Sequence, residues 1–173
     1  MSQVRVTPWQ DGDEAPVELL AEMQGRRPNG ELIGIDRLLL RSFPLAKGWN
    51  ELLGRVRANF RLSLEFRELI MLRVAVLNKA DFEWNVHYPA YIQAGGTDEK
   101  ATALKNVVVS SSFFSEQEQA LLELTDQSTT KVTVDSEVIE RLKMLFGETE
   151  AVEAIATVAA YNMVSRFLVA LDI

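Results

Sequence analysis

His87 is the chain's single histidine. It comes four residues after Glu83, and Glu83 comes fifteen after Glu68. On a helix, a four-residue spacing puts two side chains on one face about one turn apart. An imidazole with two carboxylates is a proton-handling set. The unperturbed imidazole changes charge near pH 6.5, and a carboxylate beside it can orient the ring or take a second proton role. Phe82, Trp84 and Tyr88 surround Glu83 in sequence, and an acid among aromatics is costly to bury without a partner or a task. Each residue also has a plainer reading. His87 alone would be a structural histidine, and it is Glu83 at helical spacing that shifts the reading towards a site. Glu68 could open a helix or pair with Arg67 or Arg73. Arg73 is the one polar residue in LIMLRVAVL, so it needs an acid or a carboxylate ligand, with a structural ion pair favoured over substrate binding. Asn162 and Arg166, again four apart, read as helix or subunit packing.

The elements that position these residues lie in one stretch, 63–96, the most apolar part of the chain. Residues 69–77 could be a buried strand by periodicity alone. The absence of Gly and Pro from Arg55 to Tyr88 and an N-cap candidate at Ser63 predict a helix instead. Its nearly all-round apolar surface makes it central. The polar Asn78-Lys79-Ala80-Asp81 suits a turn between antiparallel helices, with Asn78 ending the first and Asp81 or Asn78 capping the second. Pro89 predicts a kink beside His87 that frees the Asn85 carbonyl. Gly95-Gly96 ends the second helix.

RELIMLRVA, FEWNVH and QAGGTDEK together resemble the core motif of the carboxymuconolactone decarboxylase family, which includes alkyl hydroperoxidase D-like proteins. The stretch from Arg26 to Asn50 and the end of the chain, YNMVSRFLVALDI, are similar to the family more loosely, so the likeness runs from Arg26 to Ile173. The resemblance implies an all-α bundle of the alkyl hydroperoxidase D-like type and a homo-oligomer, as dimer, trimer or hexamer. It implies a cofactor-independent lyase that removes CO₂ from a small lactone carboxylate in aromatic catabolism. His87, Glu83 and Glu68 would be catalytic, and Trp84 and Arg73 would bind substrate. The peroxidase branch carries a Cys-x-x-Cys pair before its histidine. Here Ala80 and Glu83 stand at those positions, and the chain has no cysteine, so dithiol chemistry is excluded. The alternatives are another small-molecule reaction of the family, an alkyl hydroperoxidase D-like member assigned to peroxidase or antioxidant function by homology though without the thiols, or a non-enzymatic oligomeric module in which the trio is structural. Two carboxylates and an imidazole also suit Zn or Fe, but no second histidine is present and the family is similar to cofactor-free enzymes. No cofactor and no metal are expected.

With 173 residues the chain reads as a single domain, 1–173, with residues 1–14 extended. Trp9 either pins that segment or is exposed. A net charge of −7 argues against nucleic acid or an anionic membrane as partner. Met1 to Gly30 lacks an apolar signal core, and no run approaches the roughly 20 apolar residues of a membrane span. The absence of cysteine excludes disulfides and thiolate metal sites. These features suit a cytoplasmic protein acting on a small molecule.

Further helices are predicted over 15–24, 31–42, 44–60, 97–106, from Ser115, from Thr133 or Asp135 to Gly147, and over 148–171. Ser115 and Glu118 fit a capping box, and 128–131 is a polar break. Residues 107–114 could be a short extended connection.

Overall fold

The computed structural model describes residues 4–106 and 109–173. Among them there are helices and turns and no strand, as the all-α expectation has it. Contacts group the chain into two units, 1–55 with 170–173, and 56–169.

The smaller unit holds α1 (Val17–Gly25), α2 (Gly34–Leu39) and most of α3 (Phe43–Ala58). Trp9 is buried. Its backbone N–H donates to the Arg37 carbonyl at 2.9 Å, and the Arg37 guanidinium lies 5.8 Å from its ring centroid. The pinned reading of Trp9 therefore holds and the exposed one does not. The helix expected over 31–42 is shorter, because Asp36 organises its start. The Asp36 carboxylate accepts from the Ile33 backbone at 3.0 Å and from Arg27 at 2.7 Å and 2.8 Å. That clamp holds residue 33 extended as the N-cap.

The larger unit is built on α4 (Leu64–Asn78), which packs against α5 (Asp81–Gln93), α6 (Asp98–Leu104) and α7 (Glu116–Lys131). Ser63 Oγ accepts from the Phe66 N–H at 3.3 Å, so the expected cap forms. Every residue from Arg67 to Ala75 is buried, as an all-round apolar helix requires. Leu69, Leu72, Tyr91, Leu104, Phe114 and Leu122 join α4–α7 in one core. Asn78 is the last helical residue, as expected, and Lys79 follows it as a left-handed cap, with φ 56°. Its N–H bonds the Val76 carbonyl, and that of Ala80 bonds Ala75 at 2.9 Å, which satisfies the last carbonyls.

The N-cap of α5 is Ala80, without a side-chain cap, so neither Asp81 nor Asn78 fills that role. The helix runs from 81 to 93 through Pro89 with no non-helical residue. Asn85 and Pro89 are both exposed, so the missing backbone bond falls on the solvent side. After α5 the chain passes so close to Tyr91 that a Cβ on Gly96 would lie 2.3 Å from the phenol ring; only glycine fits there.

Thr97 Oγ1 caps α6 by accepting from the Lys100 N–H at 3.2 Å. Ser115 and Glu118 form the capping box of α7, with bonds of 2.8 Å and 3.2 Å. In the run 107–114, residues 107 and 108 lie outside the described residues and 111–113 form a 3-10 turn. The polar break expected at 128–131 is helix: α7 continues to Lys131, and Val132 (φ 69°) ends it.

The last element, α8 (Ser136–Leu171), is interrupted at Gly147, whose φ of 80° and ψ of 170° no helix contains. The break expected there is present. By length and composition α8 could cross a membrane, contrary to the hydropathy reading of the sequence, but half of its most apolar window is buried inside the fold.

Candidate active site

Glu68 projects from the second turn of α4. Glu83 and His87 project from one face of α5, as their spacing dictates. The antiparallel turn at 79–80 brings the two faces together. His87 Nδ1 lies 2.7 Å from Glu68 Oε2, and His87 Nε2 lies 3.4 Å from Glu83 Oε2. All three side chains are at least nine-tenths buried.

The two contacts differ in kind. The Glu68 contact is a short hydrogen bond between charged partners. The Glu83 contact is at ion-pair distance but too long and poorly aligned for a good hydrogen bond. Glu83 Oε2 is buried and has no hydrogen-bond partner, although a Glu83 bond is among the influences that raise His87. The 3.4 Å geometry favours reading this as charge attraction. A buried carboxylate oxygen left in this condition is costly.

His87 feels opposing effects. Burial disfavours its charged form, while the Tyr161 oxygen and the Glu68 and Glu83 side chains favour it and prevail. Its pKa is held well above the ordinary imidazole value. In the imidazolium form both ring nitrogens carry a proton: Nδ1–H donates to Glu68, and Nε2–H faces Glu83 at ion-pair distance without a hydrogen bond.

Tyr161, from α8, is the residue that the sequence reading misses. It is fully buried and meets the His87 ring edge-on, with centroids 5.0 Å apart. Its hydroxyl accepts from Arg57 Nε at 3.0 Å. The only signal in the sequence is a lone phenol in the alanine-rich stretch 148–171, which local spacing does not connect to His87.

The other two candidates lie elsewhere. Arg73 donates to both carboxylate oxygens of Asp126, at 2.6 Å and 2.8 Å. It also donates to the carbonyls of Leu104 and Asn106, at 2.7 Å and 2.8 Å. This corrects its assignment to substrate binding: the guanidinium, 1% exposed, is committed to protein oxygens. Trp84 is half-buried, stacks on Tyr88 at 5.9 Å, and faces a cleft whose lining includes none of the trio. The packing reading of Asn162 holds, since it bonds Thr129, Val158 and Asn78. Arg67 caps the end of α3 by donating to the Val56 carbonyl at 2.7 Å and to the Leu62 carbonyl at 2.9 Å.

The two imidazole nitrogens face different carboxylates from opposite sides of the ring, so the three donors do not converge on one point as metal ligands must. No group of three His, Cys, Asp or Glu suited to a metal ion occurs among the described residues. An imidazole between two carboxylates is an arrangement that can hold and pass on a proton.

The family resemblance is matched by two kinds of comparison. The model of the carboxymuconolactone decarboxylase family matches residues 44–126. No curated protein matches the chain. Among solved structures, the debrominase Bmp8, in a cysteine-to-alanine form bound to 2,3,4-tribromopyrrole, is similar over 99% of this chain and 92% of its own, with TM-score 0.79 and 21% identity. An Agrobacterium tumefaciens protein of unknown function, suggested to be an antioxidant-defence AhpD, is similar over 80% of this chain and 93% of its own, with TM-score 0.71 and 24% identity. A peroxidase-related protein from Silicibacter sp. TM1040 is similar over 96% of this chain and 85% of its own, with TM-score 0.71 and 18% identity. At these identities the structures establish the shared fold. The family model's match, residues 44–126, takes in Glu68, Glu83 and His87, so the part of the chain that carries the trio is the part similar to the carboxymuconolactone decarboxylase family.

Proposed function

We propose that the chain is an acid–base enzyme acting on a small carboxylate, of the decarboxylase type within its family. The observation that carries this reading is the buried imidazole held between two carboxylates, one of which keeps an oxygen without a hydrogen bond. A purely structural triad would gain by satisfying that oxygen. In the reaction, the bond between the carboxylate carbon and a lactone carbon breaks. CO₂ leaves, and the electron pair passes into the conjugated lactone as an enolate. His87 delivers a proton to complete the product, with solvent restoring it, so one proton is consumed and no oxidant or reductant is needed. Glu68 fixes the ring through Nδ1, and Glu83 faces Nε2, where a proton can be taken up or returned. Thiol chemistry is closed to a chain without cysteine. The test is CO₂ release from a panel of lactone carboxylates. The wild type should turn over at least one member, and His87→Ala and Glu83→Gln should each lose about a hundredfold. Full turnover by both variants overturns the proposal.

We also infer that the chain works as a homo-oligomer. Val152, Ile155, Met163 and Val169 leave an exposed apolar run along α8, more than a lone helix face needs. Light scattering giving a mass near 19.4 kDa would refute this.

A further inference from the structure

A second feature lies outside the trio. At the turn between α4 and α5 is a cleft of about 290 Å³ lined by Ala75, Val76, Lys79, Asp81, Trp84 and Lys105. Its volume is close to the lower end for small-molecule sites. Three observations converge on it. Lys105 Nζ sits 4.4 Å from the Trp84 ring centroid, where cation–π attraction holds the ammonium in place. Lys79 occupies the left-handed position that ends α4, and its side chain lines the cleft beside that turn. Among the described residues no ion pair engages either ammonium, although Asp81 shares the lining. In a chain of net charge −7, two unpaired cations at one apolar-walled cleft form a local positive site.

We propose that this cleft binds a small carboxylate with an apolar body. The carboxylate would lie between Lys79 and Lys105, and the body against Ala75, Val76 and the indole edge. Two ammoniums at one cleft select the anion. The small apolar wall limits the size of the body attached to it. None of the six lining residues belongs to the Glu68–His87–Glu83 group, so this site stands or falls separately from the proposed reaction.

The probe is benzoate, with benzamide as its neutral isostere, titrated calorimetrically into the full chain. Heteronuclear NMR of the three indole N–H groups locates the binding. Benzoate is expected to bind saturably with a Kd on the order of millimolar, to shift the Trp84 signal, and to bind about tenfold tighter than benzamide. Lys105→Gln and Lys79→Gly should each weaken benzoate about tenfold. Lys79→Gly keeps the left-handed backbone, so loss of binding there is not loss of the turn. Glu83→Gln should bind benzoate as the wild type does. Equal binding of benzamide, shifts confined to Trp9 or Trp49, no saturation, or unchanged affinity in both lysine variants would each overturn the site.

Discussion

Of the three charged side chains that helix α4 buries, Glu68 and Arg73 lie five residues apart and are treated differently. Arg73 meets a carboxylate on both oxygens and two carbonyls besides. Its charge is answered on every side that the structure records, and it locks α4 to α7 and to the end of α6. Glu68 instead leads into a chain of charges, through His87 to Glu83, that ends on an oxygen with no hydrogen bond. Burial alone does not separate these regions, since both are almost fully enclosed. Satisfaction does: a fully bonded charge holds the fold together, while an under-bonded one stores free energy that chemistry can use.

Three substitutions and one pH series sharpen or break that contrast. The largest effect belongs to Arg73→Met, which leaves two carbonyls and Asp126 without their donor. It should cost about 3 kcal/mol in denaturant unfolding. Glu83→Gln should cost less than Arg73→Met in the same measurement, because it gives up a charge attraction to His87 at 3.4 Å but no hydrogen bond, while turnover falls. Equal losses from the two variants would erase the distinction between lock and site.

The next effect is the pH dependence of stability. His87 is raised in the folded state above its unfolded value of about 6.5. A raised histidine contributes stability that is full below the unfolded value and is lost as pH rises through the folded one. The unfolding midpoint of the wild type should therefore fall from about pH 6 to alkaline pH more steeply than that of His87→Asn. Parallel profiles would contradict the raised value. The smallest effect is at the turn. Lys79→Gly relieves a left-handed lysine and should raise stability by up to about 1 kcal/mol.

Much of this fold is legible locally. Ser63, Thr97 and Ser115 cap helices because a hydroxyl one turn ahead of an N–H is enough. Gly147 breaks α8 because its conformation excludes other residues. Glu83 and His87 meet because helical geometry leaves them no alternative. What escapes local reading is decided by distant partners. The stretch 128–131 is polar, yet it stays helical because Thr129 is buried and bonded to Asn162 of α8. Residues 31–33 look helical, but Asp36 and two arginines from the turn after α1 hold the start at Gly34. Arg73 could be ligand or lock until Asp126 is seen beside it, and Tyr161 joins His87 only when α8 folds over α5.

The most direct test of the central claim is the protonation state of His87, unambiguous because the chain has one histidine. Long-range nitrogen–proton NMR correlation of the imidazole near neutral pH reads both ring nitrogens at once. The structure predicts an imidazolium protonated on Nδ1 and Nε2 and persisting above neutral pH. A neutral tautomer at neutral pH, titrating at or below about 6.5, would contradict a proton held between Glu68 and Glu83.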